Sequence, residues 1–125
     1  MNKEVLPVGR TAANAPYSPV VRTGDLLFIS GQVALSAEGT LIDGDFEAQC
    51  RQCLRQLQSL LEEAGVTLGH VVKTVVFLAD LANFARLNEI YREVFPTDRP
   101  ARPCIQVARL PLDAAVEVEA IAAAS

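Results

Sequence analysis

The chain has 125 residues, half of them apolar, which is one domain's length with enough apolar side chains for a single core. Fifteen acidic residues against 11 basic ones leave a net charge of −4, and this argues against a nucleic-acid groove, which needs clustered positive charge. No stretch reaches the roughly 18 unbroken apolar residues of a membrane span, the N-terminus lacks the apolar run of a signal peptide, and three cysteines fit a reducing compartment better than a disulfide framework, so a cytoplasmic protein is expected.

Residues 3–8 are expected to form a short edge strand, and residues 12–19, with Pro16 and Pro19, a loop. Residues 20–22 run extended into a hairpin turn at Thr23-Gly24-Asp25, where the glycine supplies positive φ. Leu26-Leu27-Phe28-Ile29 is too short an apolar run for a helix and reads as a buried strand closed by Ser30. Gly31 then permits a β-bulge or a close approach of ligand to backbone. Residues 33–42 read as strand, turn at Ala37-Glu38-Gly39, and strand.

Asp45 is the expected N-cap of a first helix, whose apolar face holds Phe46, Cys50, Cys53, Leu54, Leu57, Leu60, Leu61 and Ala64 at three- and four-residue steps. Gly65 ends it. Residues 71–78 are mostly apolar and β-branched, which predicts a central strand covered on both faces. Residues 80–83 offer caps for a second helix with Phe84, Leu87, Tyr91, Val94 and Phe95 on its apolar face, and Pro96 follows its end. Residues 104–108 and 115–122 are the last strands, separated by a turn at Leu110-Pro111-Leu112-Asp113. The order of elements predicts an α+β (mixed α/β) fold: one mixed sheet with both helices packed on one face. Two helices cannot cover both faces of such a sheet, so a second copy of the chain is expected on the other, in a homo-oligomer.

The chemistry-bearing residues gather near the C-terminus. Arg102 stands between Pro100 and Pro103, which stiffen the backbone around it. A guanidinium on a stiff extended entry to a strand suits a carboxylate clamp, though a lone Arg also serves as a surface or ion-pair residue. In the last strand Val116, Val118 and Ala120 share one face and Glu117 and Glu119 the other, as a catalytic carboxylate pair or as a solvated face. Cys50-x-x-Cys53 lies on the helix's apolar stripe and is read as core packing, since no second pair of ligands exists for zinc. His70, the only histidine, reads as a solvated loop residue. The glycines never assume phosphate-loop or dinucleotide spacing, and nothing implies a cofactor or a metal.

Five blocks in order resemble the RidA/YjgF family of small imine deaminases along nearly the whole chain. They are Ala15-Pro16-Tyr17-Ser18-Pro19; Phe28-Ile29-Ser30-Gly31-Gln32; the run from Val71 through Phe77 to Asp80; Asn88-Glu89-Ile90-Tyr91; and Arg99-Pro100-Ala101-Arg102, followed by Val107-Ala108-Arg109-Leu110-Pro111 and Val118-Glu119-Ala120. The resemblance implies a single RidA-like domain over residues 1–125, with a chorismate-mutase-like fold packed as a homotrimer with clefts between subunits. It also implies hydrolysis of enamines and imines such as 2-aminoacrylate to 2-keto acids and ammonia, with no cofactor. It places the ligand-binding arginine on Arg102, a backbone contact on Cys104 and the water-positioning acid on Glu119, with Tyr17, Ser30, Gly31 and Asn88 at other cleft positions. Two residues depart from the family pattern: Ala15 stands where glycine usually precedes Pro-Tyr, and Pro103 where serine or threonine usually follows the arginine. Pro103 removes a backbone N–H and a hydroxyl beside the ligand carboxylate. Two alternatives use the same chain. One is a non-catalytic carrier or sensor of small carboxylates in the same cleft; the other is a protein- or RNA-directed role, against which the net charge counts for RNA.

Overall fold

The computed structural model describes residues 2–9 and 15–125. Its six strands are β1 (Lys3–Val5), β2 (Val20–Thr23), β3 (Leu26–Gln32), β4 (Val71–Leu78), β5 (Cys104–Gln106) and β6 (Val116–Ala123), and its two α-helices are α1 (Phe46–Glu63) and α2 (Phe84–Val94). The strands form one sheet in the order β1-β2-β3-β6-β4-β5. Only the β4–β5 pair is parallel, so the sheet is mixed. The loop expected over residues 12–19 lies in part outside the described residues; Ala15 to Pro19 carries neither strand nor helix.

Local chemistry accounts for the element ends. Thr23 pairs with Leu26, leaving Gly24-Asp25 as a two-residue hairpin loop with Gly24 at φ 56°. The Asp45 carboxylate accepts from the Ala48 N–H at 3.0 Å and caps α1, a contact worth about 1 kcal/mol. At the start of α2 the Asp80 carboxylate accepts from Ala82 N–H at 2.9 Å and opens a short 3-10 turn that runs into the helix. His70 is no idle loop residue: its Nδ1 accepts from Thr67 N–H at 3.1 Å and completes a capping box around the 3-10 turn Leu68–His70.

Both helices lie on one side of the sheet. Leu27 and Ile29 of β3, Thr74, Val76 and Leu78 of β4, and Val116, Val118 and Ala120 of β6 are buried there against the α1 stripe Cys50, Cys53, Leu54, Leu57 and Leu61. The Cys53 thiol lies 3.7 Å from the Val116 carbonyl, and the Tyr91 hydroxyl of α2 meets the Thr74 hydroxyl at 2.7 Å, which fixes both helices over the same face. The opposite face carries Phe28, Val75, Phe77 and Ile121 with Glu117 and Glu119, and among the described residues no helix covers it.

Three expectations are corrected. β3 and β4 are not covered on both sides within the chain: Leu26 and Phe28 are 42% and 41% exposed and Val72 49%. The apolar runs are real, but one chain supplies only one helical layer. Phe84, expected on the buried face of α2, is 41% exposed, and Ile90 takes a core position with Leu87 and Tyr91. Residues 33–42 form a single bridge, Leu35 with Leu41, rather than two strands. There the α1 side chains Gln52 and Gln56 bind the backbone that a partner strand would use: the Leu35 N–H donates to Gln56 at 2.8 Å, and the amides of Gln56 and Gln52 donate to Val33 and Leu35 carbonyls.

Candidate active site

Arg102 is held from two sides. Ala101 is bound along β4 by its N–H to the Val72 carbonyl and its carbonyl to the Thr74 N–H, both at 3.0 Å, and the Pro103 carbonyl accepts from Val76 N–H at 3.2 Å. The stiff Pro-x-Arg-Pro backbone thus becomes an extension of β5. The guanidinium donates to the Asn88 side-chain oxygen at 2.8 Å and stands 4.8 Å from the centre of the Tyr91 ring and 5.7 Å from that of Phe84. Phe84, Asn88 and Tyr91 are spaced by four and three residues, one face of α2. The Tyr91 hydroxyl is in turn fixed by Thr74, whose side chain is fully buried. Asn88, Tyr91 and Arg102, with Arg92, Arg99 and Pro100, line an open hollow of about 320 Å³. Cys104 follows on β5, half-buried; burial pushes its thiol up and the charge of Arg102 pulls it back.

A second group forms around Glu119 on the other side of the sheet. Ile29 pairs with Ala120 and Gln32 with Val118, so Ser30 and Gly31 together stand opposite Glu119. This two-against-one bulge is the one Gly31 permits, and such bulges re-aim side chains. The Ser30 hydroxyl donates to the Ser18 carbonyl at 2.6 Å and its N–H to Pro19 at 2.9 Å, tying the Tyr17 loop to β3. Tyr17 itself is 59% exposed. A hollow of about 310 Å³ opens here, lined among others by Ser18, Phe28, Ser30, Lys73, Val75 and Glu119.

The named residues therefore fall into two sets. Arg102 and Asn88 are in contact, with Cys104 beside them. Ser30, Gly31 and Glu119 face one another across the bulge, with the Tyr17 loop attached. One chain does not bring the two sets together, because the first borders α2 on the helical side and the second lies on the bare face. Thr74, Tyr91 and Phe84 form the bed of Arg102 and escaped notice as functional positions; the signal was the Phe84-Asn88-Tyr91 spacing. Among the described residues no three His, Cys, Asp or Glu side chains converge as a metal site. Burial pushes the Cys50 thiol up to about 11 and the Cys53 thiol higher still, as inert core thiols behave.

The Endoribonuclease L-PSP family model matches residues 9–124. This chain belongs to that family, the RidA/YjgF family. It is similar to the 2-iminobutanoate/2-iminopropanoate deaminase of Escherichia coli, with 38% identity over 125 residues and 98% of each chain covered. Among solved structures it is similar to YyfA of Yersinia pestis, a Rid protein of unknown function, at a TM-score of 0.91 with 34% identity over 98% of this chain and 99% of that one. It is also similar to E. coli TdcF with bound serine, at a TM-score of 0.83 with 38% identity over 89% and 90%. The RidA/YjgF membership accounts for the order of the five sequence blocks; no structural reason for Ala15 emerges.

Proposed function

We propose that the chain hydrolyses reactive enamines and imines such as 2-aminoacrylate to 2-keto acids and ammonia, in clefts between the subunits of a chorismate-mutase-like homotrimer. The observation that carries this reading is the split site: a braced guanidinium on one edge of the chain, and a carboxylate beside a bulge on an apolar face with no cover. A neighbouring subunit laid on that face completes the cleft. Arg102 then anchors the substrate carboxylate through two parallel hydrogen bonds. Glu119 orients water towards the C=N carbon and accepts its proton. The carbinolamine formed expels ammonia as the C=O bond forms. Free imines already hydrolyse in water, so modest positioning suffices.

The E. coli relative's name and the serine bound to TdcF, a small amino acid with a carboxylate, both support this reading. Three free cysteines accord with the cytoplasm, and no helix is long and apolar enough to cross a membrane among the described residues. The test is a coupled assay in which a dehydratase generates 2-aminoacrylate and imine decay is followed with and without this protein. Accelerated decay that Glu119→Gln lowers, while keto-acid binding persists, supports the deaminase. Binding with no acceleration in the parent protein replaces it with a carboxylate carrier.

A further inference from the structure

Glu117 is the carboxylate that the mechanism above leaves without a task. It precedes Glu119 by two residues on the same face of β6, about 7 Å away along the strand. Phe77 of β4 lies across from it, and among the described residues no cation pairs with it. Its carboxyl lies against the α-carbon of Gly31: a methyl there would stand 2.7 Å from Oε2 and 2.9 Å from the carboxyl carbon. The nearest atoms such a methyl would meet all belong to Glu117. The backbone of Gly31 is not left-handed, so conformation alone does not demand glycine. The missing side chain is instead a notch that houses this carboxyl.

The charged and titratable surroundings are few. Glu119 lies on β6 itself, and Lys73 on β4 shares the bare face. On the helical side are Cys53 of α1, whose thiol is raised in part by Glu117, and Cys104 of β5. β3 presents no charged side chain. Burial first, and the charge of Glu119 second, push the Glu117 carboxyl above its usual range.

We propose that Glu117, housed in the Gly31 notch beside Glu119, is the proton-coupled carboxyl of the cleft: it takes up a proton when an anionic 2-keto acid enters, so the ligand meets one negative charge on β6 instead of two. This rests on the carboxylate-binding reading given under Proposed function. The sign follows from linkage: an incoming anion favours the neutral form of Glu117, so affinity weakens as pH rises through its titration. One group takes up at most one proton, which limits the change to about tenfold per pH unit.

The test is calorimetry of pyruvate binding to the intact oligomer between about pH 5 and 7, in buffers of different ionisation enthalpy, with light scattering to verify assembly. The parent protein should take up a fraction of a proton per site and bind more weakly as pH rises. Glu117→Gln should bind pyruvate without that uptake and without that slope. Gly31→Ala, whose methyl pushes the carboxyl out of its notch, should diminish the uptake in a folded oligomer. Undiminished uptake in Glu117→Gln, or binding by the parent protein with no uptake, overturns the assignment and leaves the carboxylate site standing. Absence of pyruvate binding by the parent protein sinks both.

Discussion

Arg102 and Glu119 lie on opposite sides of one sheet. Arg102 is bound to Asn88 and stands over Tyr91 of α2, on the helical side, whereas Glu119 is paired with Val75 and turned to the face that no helix covers. A ligand small enough to be one 2-imino acid cannot touch both within one chain. In the cleft proposed above, a neighbouring subunit would cover the bare face and bring the arginine to its two carboxylates. Arg102 is braced by α2, and Glu119 stands opposite the bulge in β3.

Arg102→Lys separates charge from geometry. Lysine keeps the positive charge and loses the planar fork, the Asn88 bond and the stacking on Tyr91. Hydrogen bonds to charged groups are worth about 1.5–3 kcal/mol, so losing one should weaken pyruvate binding by roughly 10- to 150-fold, as read by calorimetry. Arg102→Ala should abolish binding while the oligomer persists. If the alanine variant loses binding because it falls to monomers, Arg102 is a structural residue.

Tyr91→Phe removes the hydroxyl that satisfies Thr74, which is fully buried. Leaving one buried hydroxyl unpaired should cost about 1–3 kcal/mol in denaturant unfolding. Thr74→Val in the same chain should recover much of this, since it removes the stranded partner; a double-mutant cycle reads the coupling directly. Equal and additive losses would show that the two hydroxyls do not depend on each other.

How far the sequence spoke for itself depended on the range of the interaction. The α1 stripe from Cys50 to Leu61, its Asp45 cap and the alternation of Val116 to Ala120 against Glu117 and Glu119 are written in local spacing, and all are observed. The apolar runs of β3 and β4 read as a buried strand and as a strand covered on both faces, because composition cannot say who supplies the cover. Residues 33–42 read as strand, turn and strand from two short apolar runs about the Ala37-Glu38-Gly39 turn; glutamines from α1, some twenty positions away, bind their backbone groups instead. Arg102 and Glu119 were legible as chemistry by resemblance, but not their separation, which depends on β6 lying between β3 and β4. Phe84 differs for a related reason: the helical period places it beside Leu87, whereas its partly exposed ring stands near the Arg102 guanidinium, a neighbour distant in sequence.

The thiols should separate by reactivity. The Cys50 thiol, pushed up to about 11 from 9.0, and the still higher Cys53 are almost wholly protonated at neutral pH, and both are fully buried. A disulfide-exchange reagent on the native protein should therefore modify one thiol per chain rapidly, Cys104, and pyruvate should slow that reaction. The same shift predicts an alkaline limb in stability. A thiol with a raised folded value supports the fold fully below the ordinary 9.0, and that support is lost as pH rises through about 11. Rapid labelling of all three thiols in the native protein would show that the α1 stripe is not a closed core.

The sharpest consequence of the split between Arg102 and Glu119 is complementation between dead chains. Arg102→Ala and Glu119→Gln should each lose imine hydrolysis as pure oligomers. Mixed trimers should regain it, because a cleft that takes its arginine from a Glu119→Gln chain and its glutamate from an Arg102→Ala chain is intact. With random equal mixing in a closed ring, about one cleft in four is of that kind, so activity should return to roughly a quarter of the parent value. The measurement is imine decay by absorbance after the two variants are unfolded together and refolded, with light scattering to verify a particle of about three times the 13.4 kDa chain. Co-refolded trimers that stay as inactive as their parents would mean that one chain supplies both residues to a cleft, or that the two residues serve different sites. Monomers in solution would remove the interface altogether, and with it the reading of the bare face.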